Sequence, residues 1–270
     1  MFEGLKIGLA LSGGGAKGIA HLGVLKALEE RGIEIDYISG VSAGAIMGAL
    51  YADGNTPEDI CQFIKKSDLY HMVSLTMPRH GGLTRMDQFR KFIDDKIKAE
   101  TFGDLRIPLV VNATELNEGK NVYFDEGPLI DCVIASASVP IFFKPMKIGD
   151  KLYVDGGLFC NLPANILRKK GCELIIGVHV NPITPEDAFE GIFDVSERVF
   201  HLAVNGNTIE QKKECDILIE TFRAREFGMF DASKAEDILQ IGYEDASIAL
   251  NAVDWDELKT RVRISSKYSR

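Results

Sequence analysis

Residues 7–18 of the chain read IGLALSGGGAKG, and the interpretation of the whole fold starts from them. Ile7–Leu11 is a short apolar run of the kind that forms a buried strand, and three consecutive glycines follow it closely. From Lys17 to Glu30 apolar residues recur three positions apart, which predicts a helix that Gly32 closes. The stretch is therefore interpreted as a strand, a glycine-rich turn and a helix.

The same alternation of strands and helices continues along the chain. Further buried strands are predicted at Ile35–Ser39, Leu109–Thr114, Leu174–Val180 and Ile217–Glu220. Repeated strand, helix and strand units favour an α/β fold with a mainly parallel central sheet and helices on both faces. Between Lys144 and Val154 the pattern changes to a hairpin that turns at Gly149-Asp150. We find no linker or internal repeat, so residues 1–270 are predicted to form a single domain.

The composition excludes some classes of function. The 270 residues include 31 basic and 40 acidic side chains, for a net charge of −9, and 46% of them are hydrophobic. This acidic balance argues against a general nucleic-acid binder. The five widely spaced cysteines are interpreted as reduced core thiols. Since the sequence shows neither a signal-peptide pattern nor an apolar run of membrane-spanning length, a cytoplasmic location is expected.

The glycine-rich turn after the first strand is a candidate anion site. Glycines allow several backbone N–H groups to converge, and the helix that follows contributes the positive end of its dipole. Such a loop suits a phosphate or a transient oxyanion. The residues predicted to form it are Gly13, Gly14, Gly15, Lys17 and Gly18. Lys17 is interpreted either as the partner of an anion or carboxylate or as a solvated lysine.

A second motif, Gly40-Val41-Ser42-Ala43-Gly44, has the pattern G-x-S-x-G. It lies between the predicted strand Ile35–Ser39 and a predicted helix at Ala45–Ala52, which is the context of a nucleophile elbow. In such an elbow the serine has a strained backbone conformation, and glycines on both sides avoid clashes with neighbouring elements. Ser42 is therefore the candidate nucleophile.

The third motif, Asp155-Gly156-Gly157, follows the hairpin directly. An aspartate before two glycines is by default a turn residue that bonds to its own backbone. Asp155 becomes a candidate catalytic residue because the chain also has an anion loop and an elbow serine with no obvious histidine partner nearby in sequence.

The three motifs resemble those of the bacterial patatin-like phospholipases, a family of serine acyl hydrolases that includes the catalytic domain of neuropathy target esterase. They occur in that family's order. The small-residue block Ala135–Pro140, followed by Phe143 and Pro145, is also similar, as is the stretch Asn161-Leu162-Pro163. The resemblance covers about residues 5–180.

What the resemblance implies is a Ser-Asp dyad, in which Ser42 attacks an ester carbonyl and Asp155 accepts its proton. It also implies an oxyanion site at the N–H groups around Gly14 and Gly15, a lipid or acyl ester substrate, and no metal or organic cofactor. A carboxylate with a pKa near 4 is a weak base for an alcohol unless it is desolvated or the product is strongly stabilised, which gives the glycine loop its importance. The head group, the chain length and the oligomeric state are not predicted.

Three alternatives remain open at this point. The glycine loop also matches the G-x-G-x-x-G fingerprint of dinucleotide-binding proteins, with Glu34 and Asp36 as ribose acceptors. An esterase of α/β-hydrolase type would need a histidine beside Ser42 and Asp155, and the candidates are His179 and His201. The third alternative is a non-catalytic, regulatory member of the same fold.

The segment Lys65–Lys98 differs in charge from the rest of the chain. It carries eight basic and four acidic side chains, together with several large apolar residues. One hypothesis is a lid that admits an acyl chain and makes peripheral contact with an anionic membrane surface, where each basic group adds about 1 kcal/mol. The alternative is a helix with a solvated basic face and ordinary core contacts.

Overall fold

The computed structural model describes residues 4–66, 86–183, 185, 191–228 and 232–268. Eight strands in these residues form one sheet. They are β1 (Ile7–Leu11), β2 (Tyr37–Val41), β3 (Leu109–Glu115), β4 (Lys120–Phe124), β5 (Met146–Ile148), β6 (Lys151–Asp155), β7 (Leu174–His179) and β8 (Ile217–Glu220). The predicted hairpin is confirmed as β5 and β6. Strand β2 begins at Tyr37, two residues after the start that was predicted at Ile35.

Helices connect most of these strands. They are α1 (Ala20–Glu30), α2 (Ala43–Ala52), α3 (Pro57–Lys66), α4 (Met86–Asp94), α5 (Leu129–Ser136), α6 (Asn165–Lys169), α7 (Ile192–Lys213), α8 (Ala235–Asn251) and α9 (Trp255–Tyr268). The helix predicted from Lys17 onwards is a short 3₁₀ turn, Gly15–Ile19, that continues into α1. The glycine loop therefore ends in a tighter turn than an ordinary helix start.

The sheet has a parallel and an antiparallel part. Neighbouring strands run parallel in the order β3-β2-β1-β7-β8, whereas β4 and β6 run antiparallel to β3 and β5 runs antiparallel to β6. This confirms the predicted mainly parallel sheet. The sequence interpretation did not include β4, whose residues are half-buried or exposed and lack the apolar run of a buried strand.

Both faces of the sheet are covered. On β1, Leu9 and Leu11 face the larger core, beneath α1, α2, α3 and α8, whereas Ala10 faces a smaller core with Leu167 of α6 and Ile175. Strands buried on both faces are continuously apolar, which is why β1 and β7 could be recognised as short apolar runs. The prediction of helices on both faces is confirmed.

Two strands meet end to end on β3. Strand β4 pairs with β3 along Val111–Glu115 and so occupies one edge of it. On the other edge, β2 pairs with Leu109–Asn112 and β6 pairs with Ala113–Glu115. Val41 of β2 lies opposite Asn112, and the last residue of β6 lies opposite the next residue of β3. Both strands have to leave the sheet at this junction.

All five cysteines are free, and four of them are buried, which confirms their interpretation as thiols. Among the described residues, no helix is long and apolar enough to cross a bilayer. Of the segment Lys65–Lys98, residues 67–85 lie outside the described residues, so the lid hypothesis stays a prediction.

Candidate functional site

The G-x-S-x-G motif forms a sharp turn between β2 and α2. Ser42 has φ 54° and ψ −125°, a left-handed conformation that is rare for a residue with a side chain, and it is only 7% exposed. A Cβ on Gly40 would lie 2.6 Å from the carbonyl oxygen of Gly44, and a Cβ on Gly44 would lie 2.3 Å from that of Leu11. Both glycines are therefore required by close backbone contacts, as the elbow interpretation predicts.

The glycine loop packs directly against this elbow. A Cβ on Gly13 would lie 3.1 Å from Cβ of Ser42, and a Cβ on Gly18 would lie 2.4 Å from Cβ of Ala43. The N–H groups of Gly14 and Gly15 donate no backbone hydrogen bond to the described part of the chain. Two peptide donors without backbone acceptors thus belong to residues that line the same cavity as the candidate nucleophile.

Asp155 ends β6 at the junction on β3 and is 1% exposed. Its backbone is held on both sides, because its N–H donates to the carbonyl of Ser138 (3.0 Å) and its carbonyl accepts from Thr114 Oγ1 (3.0 Å). Its carboxylate Oδ1 accepts the N–H of Gly157 (2.8 Å). A Cβ on Gly156 would lie 2.4 Å from the carbonyl oxygen of Asn112, so the chain can turn away here only through glycine.

The environment of Asp155 changes its acidity. Burial raises the pKa of its carboxyl to about 6, although the Ser42 hydroxyl and the Gly157 N–H both act to lower it. The outer oxygen, Oδ2, is buried and accepts no well-aligned hydrogen bond from the described residues. The Ser42 hydroxyl thus lies near enough to the Asp155 carboxylate to affect its pKa.

Two further residues of the sequence motifs connect the parts of the site. The ammonium of Lys17 is nearly buried and donates to Asn181 Oδ1 (3.1 Å), so the interpretation of Lys17 as a solvated lysine is wrong. The carbonyl of Asn161 accepts the N–H of Gly13 (3.3 Å), and its side-chain oxygen lies close to both Gly13 and Gly157. Asn161 thus joins the glycine loop to the aspartate turn.

A largely apolar cavity opens onto Ser42, Asp155 and the glycine loop. Its walls come from several helices, and the residues that line it include Ile46, Met47, Leu50, Ile64, Phe89, Phe92, Val139, Phe143, Phe200 and Val204. Among them, Ile64 belongs to α3, Phe89 and Phe92 to α4, and Phe200 and Val204 to α7. A cavity of this kind accommodates a hydrocarbon chain with one end at the serine.

The two histidines that the sequence analysis considered for a triad do not contact Ser42 or Asp155. Among the described residues, no histidine hydrogen-bonds to Ser42 or Asp155. His179 is fully buried and its Nδ1 lies 3.1 Å from Glu220 Oε1. His201 lines the cavity, but burial and the charge of Lys17 lower its pKa to about 4. The geometry therefore gives neither histidine the contact with Ser42 that a triad requires.

In the dinucleotide alternative, neither Glu34 nor Asp36 is placed to bind the ribose of a dinucleotide at the glycine loop. Asp36 Oδ2 accepts the N–H of Ile7 (2.6 Å), at the start of β1. The glycine loop follows the other end of the same strand. A ribose held near the loop would therefore be a full strand length from Asp36, and Glu34 lies at the same remote end, before β2.

Sequence reasoning missed several residues around the site. Phe200 and Val204 of α7 line the cavity, and the buried polar residues Asn112 and Ser136 lie at the junction on β3. Ser136 belongs to the small-residue block that was noted in the sequence, but nothing local indicated its contacts. The α7 residues carried no motif.

Comparison with known proteins gives a consistent family. The family model described as patatin-like phospholipase matches residues 9–168. An uncharacterized NTE family protein of Mycobacterium tuberculosis is 33% identical over 178 residues, covering 65% of this chain and 49% of the relative. Lysophospholipase NTE1 of Saccharomyces cerevisiae is 28% identical over 294 aligned positions, covering 95% of this chain and 17% of the relative. The chain thus spans about half, or less, of these curated relatives.

Solved structures share the fold. VipD from Legionella pneumophila superposes with a TM-score of 0.53 at 15% identity, covering 92% of this chain and 67% of that one. Human GIVD cytosolic phospholipase A2 superposes with a TM-score of 0.53 at 13% identity, covering 96% of this chain and 60% of the other. At these identities the similarity concerns the architecture alone.

Proposed function

Since the chain belongs to the patatin-like phospholipase family, we propose that it is a serine-dependent lipid acyl ester hydrolase with a Ser42–Asp155 dyad. The main support for this proposal is the place where Ser42 and Asp155 leave the sheet. Strands β2 and β6 meet end to end on β3, so that a strained serine and a desolvated aspartate leave the sheet at the same point. Glycine-loop N–H groups and an apolar cavity adjoin that point.

In the proposed first step Ser42 Oγ attacks the ester carbonyl carbon while Asp155 takes the hydroxyl proton. The ester C–O bond then breaks, the acyl group stays on Ser42, and the alcohol leaves with the proton that Asp155 returns. Asp155 next takes a proton from water, whose oxygen attacks the acyl carbon; the bond to Ser42 Oγ breaks, Asp155 returns the proton to Ser42, and the fatty acid leaves. Because burial raises the pKa of Asp155 to about 6, its carboxylate is a stronger base than an exposed aspartate and is still ionised at neutral pH.

The oxyanion of the tetrahedral intermediate is assigned to the N–H groups of Gly14 and Gly15. Both residues line the cavity that Ser42 also lines, and the N-terminus of α2 directs its dipole into that cavity from Ser42. The loss of one such donor costs about 2.7–4 kcal/mol of transition-state stabilisation. The N–H of Ser42 itself is not available, because it donates to Ser136 Oγ (2.8 Å).

The apolar cavity supports a substrate with a hydrocarbon chain. Chains would lie against α2, α3 and α4, while the ester stays at Ser42. The name of the yeast relative, lysophospholipase, fits a lipid substrate of this kind. We propose lipid acyl esters as the substrate class and an enzyme that works at a lipid surface, with peripheral contact through Lys65–Lys98 as the accompanying hypothesis.

A fluorophosphonate probe that reacts with activated serines tests the dyad. The wild-type protein should be labelled, Ser42→Ala should not, and Asp155→Asn should be labelled far more slowly. Ser39→Ala is a matched control, because Ser39 is a buried serine of β2 whose hydroxyl donates to the carbonyl of Pro163 (2.6 Å). Equal labelling of the wild type and Ser42→Ala would overturn the proposal.

The triad alternative is tested by histidine replacement. The dyad predicts that His179→Gln and His201→Gln keep kcat within about tenfold of the wild type. A triad predicts a loss on the order of 10⁴-fold for one of them, as for other enzymes that depend on a catalytic histidine. Hydrolysis of a lysophospholipid by folded protein is the measurement.

A further inference from the structure

Two fully buried polar residues, Asn112 of β3 and Ser136 of α5, form a chain of hydrogen bonds across the junction on β3. The N–H of Ser42 donates to Ser136 Oγ (2.8 Å), and the Ser136 hydroxyl donates to the carbonyl of Asn112 (2.6 Å). The Asn112 side chain then donates from Nδ2 to the carbonyls of Gly156 (3.1 Å) and Cys160 (2.8 Å). The chain runs from the backbone of one dyad residue to the turn of the other.

The Ser136 hydroxyl takes the place of a rung of the sheet. Between β2 and β3 the N–H of Ile38 donates to the carbonyl of Pro108 (2.9 Å). Parallel ladders repeat every two residues, so the N–H of Ser42 would be the one to meet the carbonyl of Asn112. In the structure the hydroxyl lies between these two groups and accepts from one while it donates to the other.

We propose that Ser136 and Asn112 are positioning residues that set the separation of Ser42 and Asp155. The inserted hydroxyl holds the elbow away from β3 by one hydrogen-bond length, and the Asn112 side chain holds the aspartate turn against the same residue. The inference rests on the proposed function. It adds that the geometry of the dyad depends on a side chain that touches neither substrate nor reacting atoms.

Removal of the hydroxyl has a defined consequence. In Ser136→Ala the N–H of Ser42 either stays buried without an acceptor or moves towards the carbonyl of Asn112, and both change the position of the nucleophile. A displacement of about 1 Å at a reacting group reduces turnover on the order of 10²-fold. Because the displacement of Ser42 affects the reaction and not the cavity that binds the substrate, kcat should fall while KM stays within about threefold of the wild type.

The acid limb of the pH profile distinguishes a positioning role of Ser136 from a purely structural one, because a purely structural role would not shift that limb. The Ser42 hydroxyl lowers the pKa of Asp155, so a serine that has moved away should let that pKa rise. We expect the acid limb of kcat/KM to shift to higher pH in Ser136→Ala. In Ser39→Ala, which also loses a buried hydroxyl-to-carbonyl bond, the limb should stay in place.

The experiment measures kcat, KM and the acid limb on a soluble acyl ester for the wild type, Ser136→Ala and Ser39→Ala, each corrected for folded protein by circular dichroism. An unchanged kcat and limb in folded Ser136→Ala would overturn the inference. If the alanine variant does not fold, Ser136→Cys takes its place, because its thiol fills the same space but hydrogen-bonds weakly. Its kcat and acid limb are then measured and judged in the same way. A wild type without esterase activity or label would instead refute the proposed function.

Discussion

The parallel and antiparallel parts of the sheet hold the two candidate catalytic residues in different ways. Ser42 follows a parallel strand and is constrained by its own motif, through a left-handed backbone and flanking glycines at which a Cβ would lie within 3 Å of backbone atoms. Asp155 follows an antiparallel strand and is constrained by distant residues, through Ser138 and Thr114. The candidate nucleophile thus depends on the tight backbone of its own motif together with the distant Ser136, whereas the backbone of the candidate base is held by distant residues alone.

This difference predicts how substitutions around Ser42 and around Asp155 should affect the protein. Substitutions near Ser42 in the sequence should damage the fold, because the elbow and the glycine loop are in backbone contact with β1. Substitutions that affect Asp155 should act mainly on its charge and position, because its carboxylate is buried against the preference of that group for water. Four experiments test this contrast.

The largest effect is expected from Gly44→Ala on the parallel side. The new Cβ would lie 2.3 Å from the carbonyl oxygen of Leu11 and 2.6 Å from that of Ser12, and neither backbone atom can yield without moving β1. We expect a loss of about 3 kcal/mol in the free energy of unfolding, or no folded protein, by urea titration. Gly103→Ala is the control, because the nearest atom there is 3.7 Å away. Equal stability of the two variants would contradict a locally constrained elbow.

On the antiparallel side, Asp155→Asn should stabilise the protein while it removes activity. The folded pKa of Asp155 is about 6, above the value near 4 of an unfolded aspartate, so the folded state binds the proton more tightly. Wild-type stability should therefore fall as pH rises from 4 to 6, and asparagine removes this loss. The expected gain is about 3 kcal/mol above pH 6 and close to zero at pH 4.

Urea titrations of the wild type and Asp155→Asn at pH 4, 5, 6 and 8 measure this gain. A difference in stability that is the same at every pH would show that the carboxylate is not desolvated.

The pH dependence of catalysis tests the same carboxylate in the active enzyme. If Asp155 must be ionised to act as a base, kcat/KM should fall about tenfold per unit below pH 6 and be level above it. The measurement needs a neutral ester, so that the substrate does not titrate. A limb near pH 4 would mean that the base is solvated and would remove the contrast between the two parts of the sheet.

The smallest effect compares two single hydrogen bonds. Thr114→Val removes the bond to the carbonyl of Asp155, and Ser39→Ala removes a bond of the same type in β2. Each should cost about 1 kcal/mol of stability. Only Thr114→Val should also lower kcat, since only Thr114 holds the backbone of a dyad residue. Equal kcat for the two variants would show that this bond does not position the base.

Much of the parallel part could be predicted from the sequence. Strands β1 and β7 are buried on both faces and therefore appear as apolar runs, and the glycines at positions 13, 40 and 44 belong to two short motifs that each follow a strand. The elbow and the loop could be recognised because each motif is a short run of sequence, although the atoms that require the glycines come from elsewhere in the chain. The family resemblance added the pairing of Ser42 with Asp155, which those local patterns alone left open.

The antiparallel part was less accessible. Strand β4 is partly exposed and gives no strong periodic pattern, so its pairing with β3 was missed. The contact of Ser136 with Ser42 joins residues 94 positions apart, which no local pattern reports. Helix α7 lines the cavity with Phe200 and Val204 while its outer face exposes Val199 and Leu202, and apolar residues on both faces obscure its role.

The end-to-end meeting of β2 and β6 also bears on which changes of chain length the site tolerates. Strand registers are discrete, and a shift of β6 by one residue would move Asp155 by about 3.4 Å and turn its side chain to the opposite face. A change of register therefore cannot shift Asp155 by a fraction of a residue relative to Ser42. An insertion within β6 would abolish the site in one step, whereas one at Gly149-Asp150, at the far end of the hairpin, would leave it intact.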